Sequence, residues 1–281
     1  MALSQTFHKA RDSATIQLMN GHGLAYDTAG EGVPLVFIHQ VATDRRLWHH
    51  QQGSFSRRYR LITVDVMGHG QVSWPPEELS LERAAGHVRG LLESLKAGPA
   101  FMIGVSMGSA IAMRIALDHP QLVRGLILVS PWSHTSGHTR SLVDRLFRLA
   151  EAGDMSVHTD LFLRYVIPTA YFAHHSPKVE HLRALVMEQD AKAVAYTWAA
   201  CMASDLSGYL SDIHTPSLVI AGLHDLFTPP YLARAVAESL AEVELEVWEE
   251  TGHFPFFEDP MRFNRRLETF IRRCLTPANS E

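Results

Sequence analysis

Five short, largely apolar runs, at 34–38, 60–64, 101–105, 125–129 and 217–221, recur along the chain with stretches of helical spacing between them. A strand that is apolar on both faces has to be covered on both, and strands alternating with helices build βαβ units. The chain is therefore expected to fold as an α/β protein, a parallel sheet between two layers of helices. An alternating stretch at 15–20, a Gly21-His22-Gly23 turn and a return through Leu24, Ala25 and Tyr26 predict an opening hairpin. Val243, Leu245 and Val247 predict a last strand. The clearest helix carries Leu81, Ala84, Ala85, Val88, Leu91, Leu92 and Leu95 on one face, with Ser80 placed to cap it and Gly98-Pro99 to stop it. Asp259-Pro260 opens a final helix with Phe263, Leu267, Phe270, Ile271 and Cys274 on its apolar face.

The alternation breaks between Ser130 and Thr215, a stretch far longer than the about 2 to 6 residues that connect elements inside an α/β unit. Helical patterns fill it, at 141–152, in a segment opened by Ser176 as N-cap and Pro177 as N1, and in one carrying Val194, Trp198, Cys201 and Met202. The expected organisation is a core made of residues 1–130 and 215–281, with 131–214 inserted as a helical cap.

Net charge over the 281 residues is −5 and no long basic run occurs, so nucleic acid is not an expected partner. No apolar stretch is long enough to span a membrane, and the first residues lack the apolar core of a secretory signal, which points to a cytoplasmic protein. Cys201 and Cys274 lie in apolar helical patterns and read as core thiols. His49-His50 and His174-His175 stand out among 17 histidines, but no His-Glu-x-x-His or carboxylate cluster accompanies them, and no metal site is expected. The sequence is compatible with a homo-oligomer.

Chemistry concentrates at Gly104-Val105-Ser106-Met107-Gly108, where a serine between two spaced glycines leaves a strand and enters a helix. Such an elbow presents the hydroxyl at a helix N-terminus, whose amides favour developing negative charge. A serine hydroxyl is a poor nucleophile without a base, and the base needs an acid to fix its tautomer. Asp225 follows the 217–221 run, and His253 follows the last strand. The order Ser106, Asp225, His253 makes them the candidate nucleophile, acid and base. The oxyanion donors are expected to be the N–H of Met107, after the nucleophile, and that of Val41, in the loop after the 34–38 run.

These motifs, Ile38-His39-Gln40-Val41, Asp65-Val66-Met67-Gly68-His69-Gly70, the elbow, the stretch from Gly222 to Pro229 and Thr251-Gly252-His253-Phe254-Pro255, together resemble the α/β-hydrolase superfamily over essentially the whole chain. That resemblance implies a mostly parallel eight-stranded sheet, a helical cap after strand six, no cofactor and a two-step acyl-enzyme mechanism on a small-molecule substrate. Stretches 41–48, 130–132 and 138–140 are further similar to 3-oxoadipate enol-lactonases and aminoacrylate hydrolases. One departure is Gln40, where the family usually has glycine: its side chain either points away from an unchanged loop, or donates a hydrogen bond or narrows the pocket. His39 and His69 read as turn braces, and Asp65 as structural.

The expected function is that of a serine hydrolase acting on a small or medium carboxylic ester, lactone or related acyl compound. A carbon–carbon bond hydrolase, a non-hydrolytic cofactor-free enzyme and a small-molecule receptor on the same scaffold stay open as alternatives. Gln40, Trp132, Tyr171, Trp198 and Phe254 are candidate substrate contacts. Arg45, Arg46, Arg140 and Arg164 are either partners for a substrate carboxylate or solvated charges.

Overall fold

The computed structural model describes residues 12–17, 23–72, 74–75, 79–135 and 137–276. Its strands are β1 (Asp12–Gln17), β2 (Gly23–Ala29), β3 (Pro34–Ile38), β4 (Arg60–Val64), β5 (Ala100–Val105), β6 (Val123–Val129), β7 (Ser217–Gly222) and β8 (Val243–Trp248). They form one eight-stranded sheet in the order β1-β2-β4-β3-β5-β6-β7-β8. The opening hairpin pairs antiparallel, as does β2 with β4, and every later pair is parallel. The predicted hairpin is therefore present, with its first strand at Asp12–Gln17 and Gly23 already in β2, while Gly21 and His22 of the predicted turn lie outside the described residues.

The helices are α1 (His49–Phe55), α2 (Leu81–Ser94), α3 (Met107–Asp118), α4 (Gly137–Glu151), α5 (Met155–Val166), α6 (Thr169–His174), α7 (Ser176–Met187), α8 (Ala191–Ala203), α9 (Pro230–Ser239), α10 (Pro255–Glu258) and α11 (Pro260–Leu275). Every residue of β5 and β7 is buried, which requires helices over both faces of the sheet. Helix α2 packs on α3, which covers β3, β5 and β6, while α1 packs with α11. Ser80 caps α2 by accepting from the Arg83 N–H, and Asp259 caps α11 through the Arg262 N–H. The apolar stripes read from the sequence on these two helices are the faces they bury.

Between β6 and β7 the described residues hold five helices and no strand, only an isolated bridge between His134 and Asp205. Helix α4 starts at Gly137 rather than 141, and His175 is the N-cap of α7, which moves Ser176 and Pro177 inside its first turn. Helix α5 has no counterpart in the sequence reading, yet Asp154 caps it by accepting from the Val157 N–H. Cys201 is buried, Cys274 is half-buried and both are free thiols; burial pushes the Cys201 thiol up. Among the described residues, no helix is long and apolar enough to cross a membrane.

Candidate active site

Ser106 stands where β5 turns into α3, with φ 52° and ψ −113°, a left-handed backbone costly for a residue with a Cβ. The conformation is held by its surroundings. The Ser106 N–H donates to Val129 O at 2.9 Å, and the Ser109 hydroxyl donates to Gly104 O at 2.8 Å. A Cβ on Gly104 would lie 2.2 Å from Gly108 O, and one on Gly108 would lie 2.2 Å from Ile38 O. The two spaced glycines thus let α3 close onto β5 and onto the end of β3. Among the described residues no group accepts from the Met107 or Val41 N–H, the two predicted oxyanion donors.

Asp225 and His253 come together at the ends of β7 and β8. Gly222 and Gly252 bring the two loops into contact, since a Cβ on Gly222 would lie 2.1 Å from Gly252 O. His253 Nδ1 lies 2.7 Å from Asp225 Oδ2, with both side chains fully buried. The carboxylate also accepts from the Phe227 and Thr228 N–H groups at 2.9 Å each, and from the Thr228 hydroxyl at 2.9 Å. Four donors converge on one buried carboxylate, which fixes its plane. They also leave the proton of His253 on Nδ1. His253 Nε2 is buried and has no partner, so the imidazole offers a bare acceptor nitrogen and the hydrogen bond to Ser106 is unformed.

The imidazole is located by its own backbone as well. The His253 N–H donates to Val166 O at 2.8 Å, and its carbonyl accepts from the Ser130 hydroxyl at 3.0 Å. Ser130 ends β6 with φ 46°, one residue beyond the Val129 carbonyl that holds Ser106. On the other side, Glu258 accepts from the N–H groups of Gly252 at 2.8 Å and Phe254 at 3.0 Å, bracketing His253. Burial pushes the Glu258 carboxyl up to about 7 despite those donors. Thr228, Ser130 and Glu258 were not singled out as site residues from the sequence. The Thr228 and Glu258 positions close to the Asp225 and His253 motifs were the available signal.

The loops after β3 and β4 are tied by two histidines. His39 Nε2 accepts from the Val66 N–H at 2.9 Å while its Nδ1 donates to Gln40 O at 2.7 Å, and His69 Nε2 accepts from the Ala42 N–H at 3.0 Å while its Nδ1 faces Met67 O at 2.9 Å. Burial lowers both to about 4, so they are neutral braces, the role read from the sequence. Asp65 is structural, held by the Arg45 and Gln71 N–H groups and the Arg45 guanidinium. Arg45 is thereby committed to Asp65 and Asp27, and Arg46 to Asp44 and Glu188, which removes both as partners for a substrate carboxylate. Arg140 donates to Met202 O, and Arg164 lines a surface cleft with Asp160, Glu180 and Arg183. Gln40 is fully buried and neither of its amide atoms has a partner; its φ is not positive, so the loop does not need glycine there.

The candidate substrate contacts separate. Phe254 meets the His253 ring at 5.0 Å, and Trp198 meets Phe227, which itself lies 5.5 Å edge-on to His253. Phe162 joins Trp198, Phe227 and Phe254 into one aromatic cluster. Tyr171 instead stacks on His175 and touches Phe257, and burial raises its phenol to about 12. Trp132 is buried just after β6 without a described ring contact to the cluster.

Comparison with known proteins places this geometry. A family model described as alpha/beta hydrolase fold matches residues 33–260. The (E)-2-((N-methylformamido)methylene)succinate hydrolase of Acinetobacter baylyi is 26% identical over 92% of this chain and 98% of its own. A hydrolase from Pseudomonas aeruginosa superposes with TM-score 0.85 at 29% identity, covering 92% of this chain and 98% of that one. The enol-lactonase from Burkholderia xenovorans shares the fold with TM-score 0.86 at 24% identity, covering 92% of this chain and all of that one.

Proposed function

The chain belongs to the alpha/beta hydrolase fold family, and from that premise we propose that it is a serine hydrolase cleaving a small or medium carboxylic ester, lactone or related acyl compound through an acyl-enzyme. The observation that carries this reading is the buried Asp225–His253 pair with a bare Nε2, set after β7 and β8 at the same end of the parallel strands as the strained Ser106 after β5. Hydrolases among the relatives support the same class of reaction.

Ser106 Oγ attacks the substrate carbonyl as His253 Nε2 takes its proton. Asp225 stays ionised and stabilises the imidazolium through Nδ1–H. The Met107 and Val41 amides hold the tetrahedral oxyanion, each contributing about 3 to 4 kcal/mol in the transition state. His253 returns the proton to the leaving alcohol, and a water that it activates next releases the acid. The open Ser106–His253 hydrogen bond closes when substrate binds, since such contacts are commonly loose in the free enzyme. The helices between β6 and β7 serve as a cap over the substrate, and the setting is cytoplasmic.

Turnover of a p-nitrophenyl ester and stoichiometric labelling by an active-site phosphonate test the reading. Both should vanish in Ser106→Ala, and His253→Ala should lose several orders of magnitude in turnover while staying folded. Labelling that persists in Ser106→Ala would remove the serine from the mechanism.

A further inference from the structure

His158, on α5, is fully buried, and the Trp198 indole N–H donates to its Nε2 at 3.0 Å. A ring nitrogen that accepts carries no proton, so the neutral imidazole must hold its single proton on Nδ1. That Nδ1 is buried and has no acceptor among the described residues. Equally buried His39 and His69, by contrast, have partners at both ring nitrogens. A donor left unpaired inside a protein is costly and calls for an explanation.

Its location supplies one. His158 stacks on Phe162 and lies against Trp198, and both of those rings pack on Phe227, which meets the His253 imidazole edge-on. The orphan donor therefore belongs to the aromatic cluster that begins at the proposed catalytic base, two rings away from it. Burial lowers His158 to about 4, so the ring is uncharged at neutral pH. One neutral donor among aromatic rings compensates the desolvation of a carbonyl oxygen, and falls well short of compensating that of a carboxylate.

We infer that His158, its tautomer fixed by Trp198, donates Nδ1–H to a second, uncharged carbonyl of the acyl substrate, remote from the bond that Ser106 attacks. The substrate class narrows to esters or lactones that carry an additional keto, amide or ester carbonyl. This inference rests on the serine-hydrolase reading and deepens it: Ser106 and His253 supply the reaction, and His158 selects among acyl groups.

The experiment compares p-nitrophenyl heptanoate with its 4-oxo, 5-oxo and 6-oxo derivatives, all releasing the same leaving group. In the wild-type enzyme kcat/KM for at least one oxo ester should exceed that for the heptanoate by about ten- to a hundred-fold, the scale set by one buried neutral donor that the heptanoate leaves unpaired. In His158→Phe the ratio should collapse toward one. Trp198→Phe gives a second readout if that variant folds poorly: without the indole donor the imidazole no longer has a fixed tautomer, and the ratio should fall there as well. Equal turnover of all four esters by the wild type, or a preference that survives in His158→Phe, would overturn the inference while leaving Ser106 in place. Heptanoate turnover that survives Ser106→Ala would instead overturn the reading beneath it.

Discussion

Gly108, in the first turn of α3, lies so close to the end of β3 that a Cβ on it would sit 2.2 Å from the Ile38 carbonyl oxygen. Backbone cannot swing aside as a long side chain can, so Gly108→Ala has to push α3 away from the loop that bears Val41. The two proposed oxyanion amides would separate, and the loss of one such donor costs about a hundredfold to a thousandfold in kcat. Stability should fall by about 1 to 3 kcal/mol from overpacking. Ester kinetics and a thermal melt on the same preparation check both numbers.

The Thr228 hydroxyl donates to the same Asp225 oxygen that receives His253 Nδ1–H. Thr228→Val keeps the volume and removes a hydrogen bond to a buried carboxylate, a contact worth about 1.5 to 3 kcal/mol. The variant should lose stability on that scale and should turn over ester more slowly, because the orienting carboxylate is less firmly held. Thr228→Ser, which keeps the hydroxyl, should restore most of both; equal losses in the two variants would assign the effect to packing.

The strands were legible in the sequence because apolar runs are a local signature, and the same runs, with the glycines that permit close approach at Ser106, are what nominate the proposed reacting groups at their ends. What surrounds them was not. Glu258 reaches the His253 loop through side-chain acceptance of two backbone N–H groups, and the commitment of Arg45 to Asp27 and Asp65 joins residues from three segments. Such contacts exist only once the strands are adjacent, and no spacing rule encodes them. Helix α5 escaped for a related reason. Polar and apolar residues mix along it, and its buried face includes His158 and Thr159, which a hydrophobic pattern does not count.

Acid should destabilise the protein well before its carboxylates are titrated out. His39, His50, His69 and His158 are each lowered from 6.5 to about 4, so between those values the unfolded chain binds four protons that the folded one refuses. Stability therefore falls as pH drops from 6.5 toward 4. Glu258, raised from 4.5 to about 7, acts in the opposite sense, since the folded state keeps its proton to higher pH. Four groups outweigh one, and the urea midpoint should decline steadily across this range. Glu258→Gln removes the opposing contribution and should steepen the decline; a flat midpoint in the wild type would show that the histidines protonate without unfolding.

Gln40 combines a well-satisfied backbone with an unpaired side chain. Its backbone does not need glycine, and its carbonyl is well used, accepting from the His39 ring and the Thr43 hydroxyl. The side-chain amide, by contrast, is buried with both polar atoms unpaired, next to the residue that supplies a proposed oxyanion donor. Gln40→Met fills similar space without polar atoms and should raise the unfolding free energy by about 1 to 2 kcal/mol, the cost of an unsatisfied buried group. A group kept at such cost beside Val41 is expected to serve the reaction, so the same variant should lose kcat/KM on ester substrates. Denaturant unfolding and steady-state kinetics separate the cases. A more stable variant with undiminished turnover would mark Gln40 as neutral filling, and a destabilised one would mean that the amide is already paired in solution.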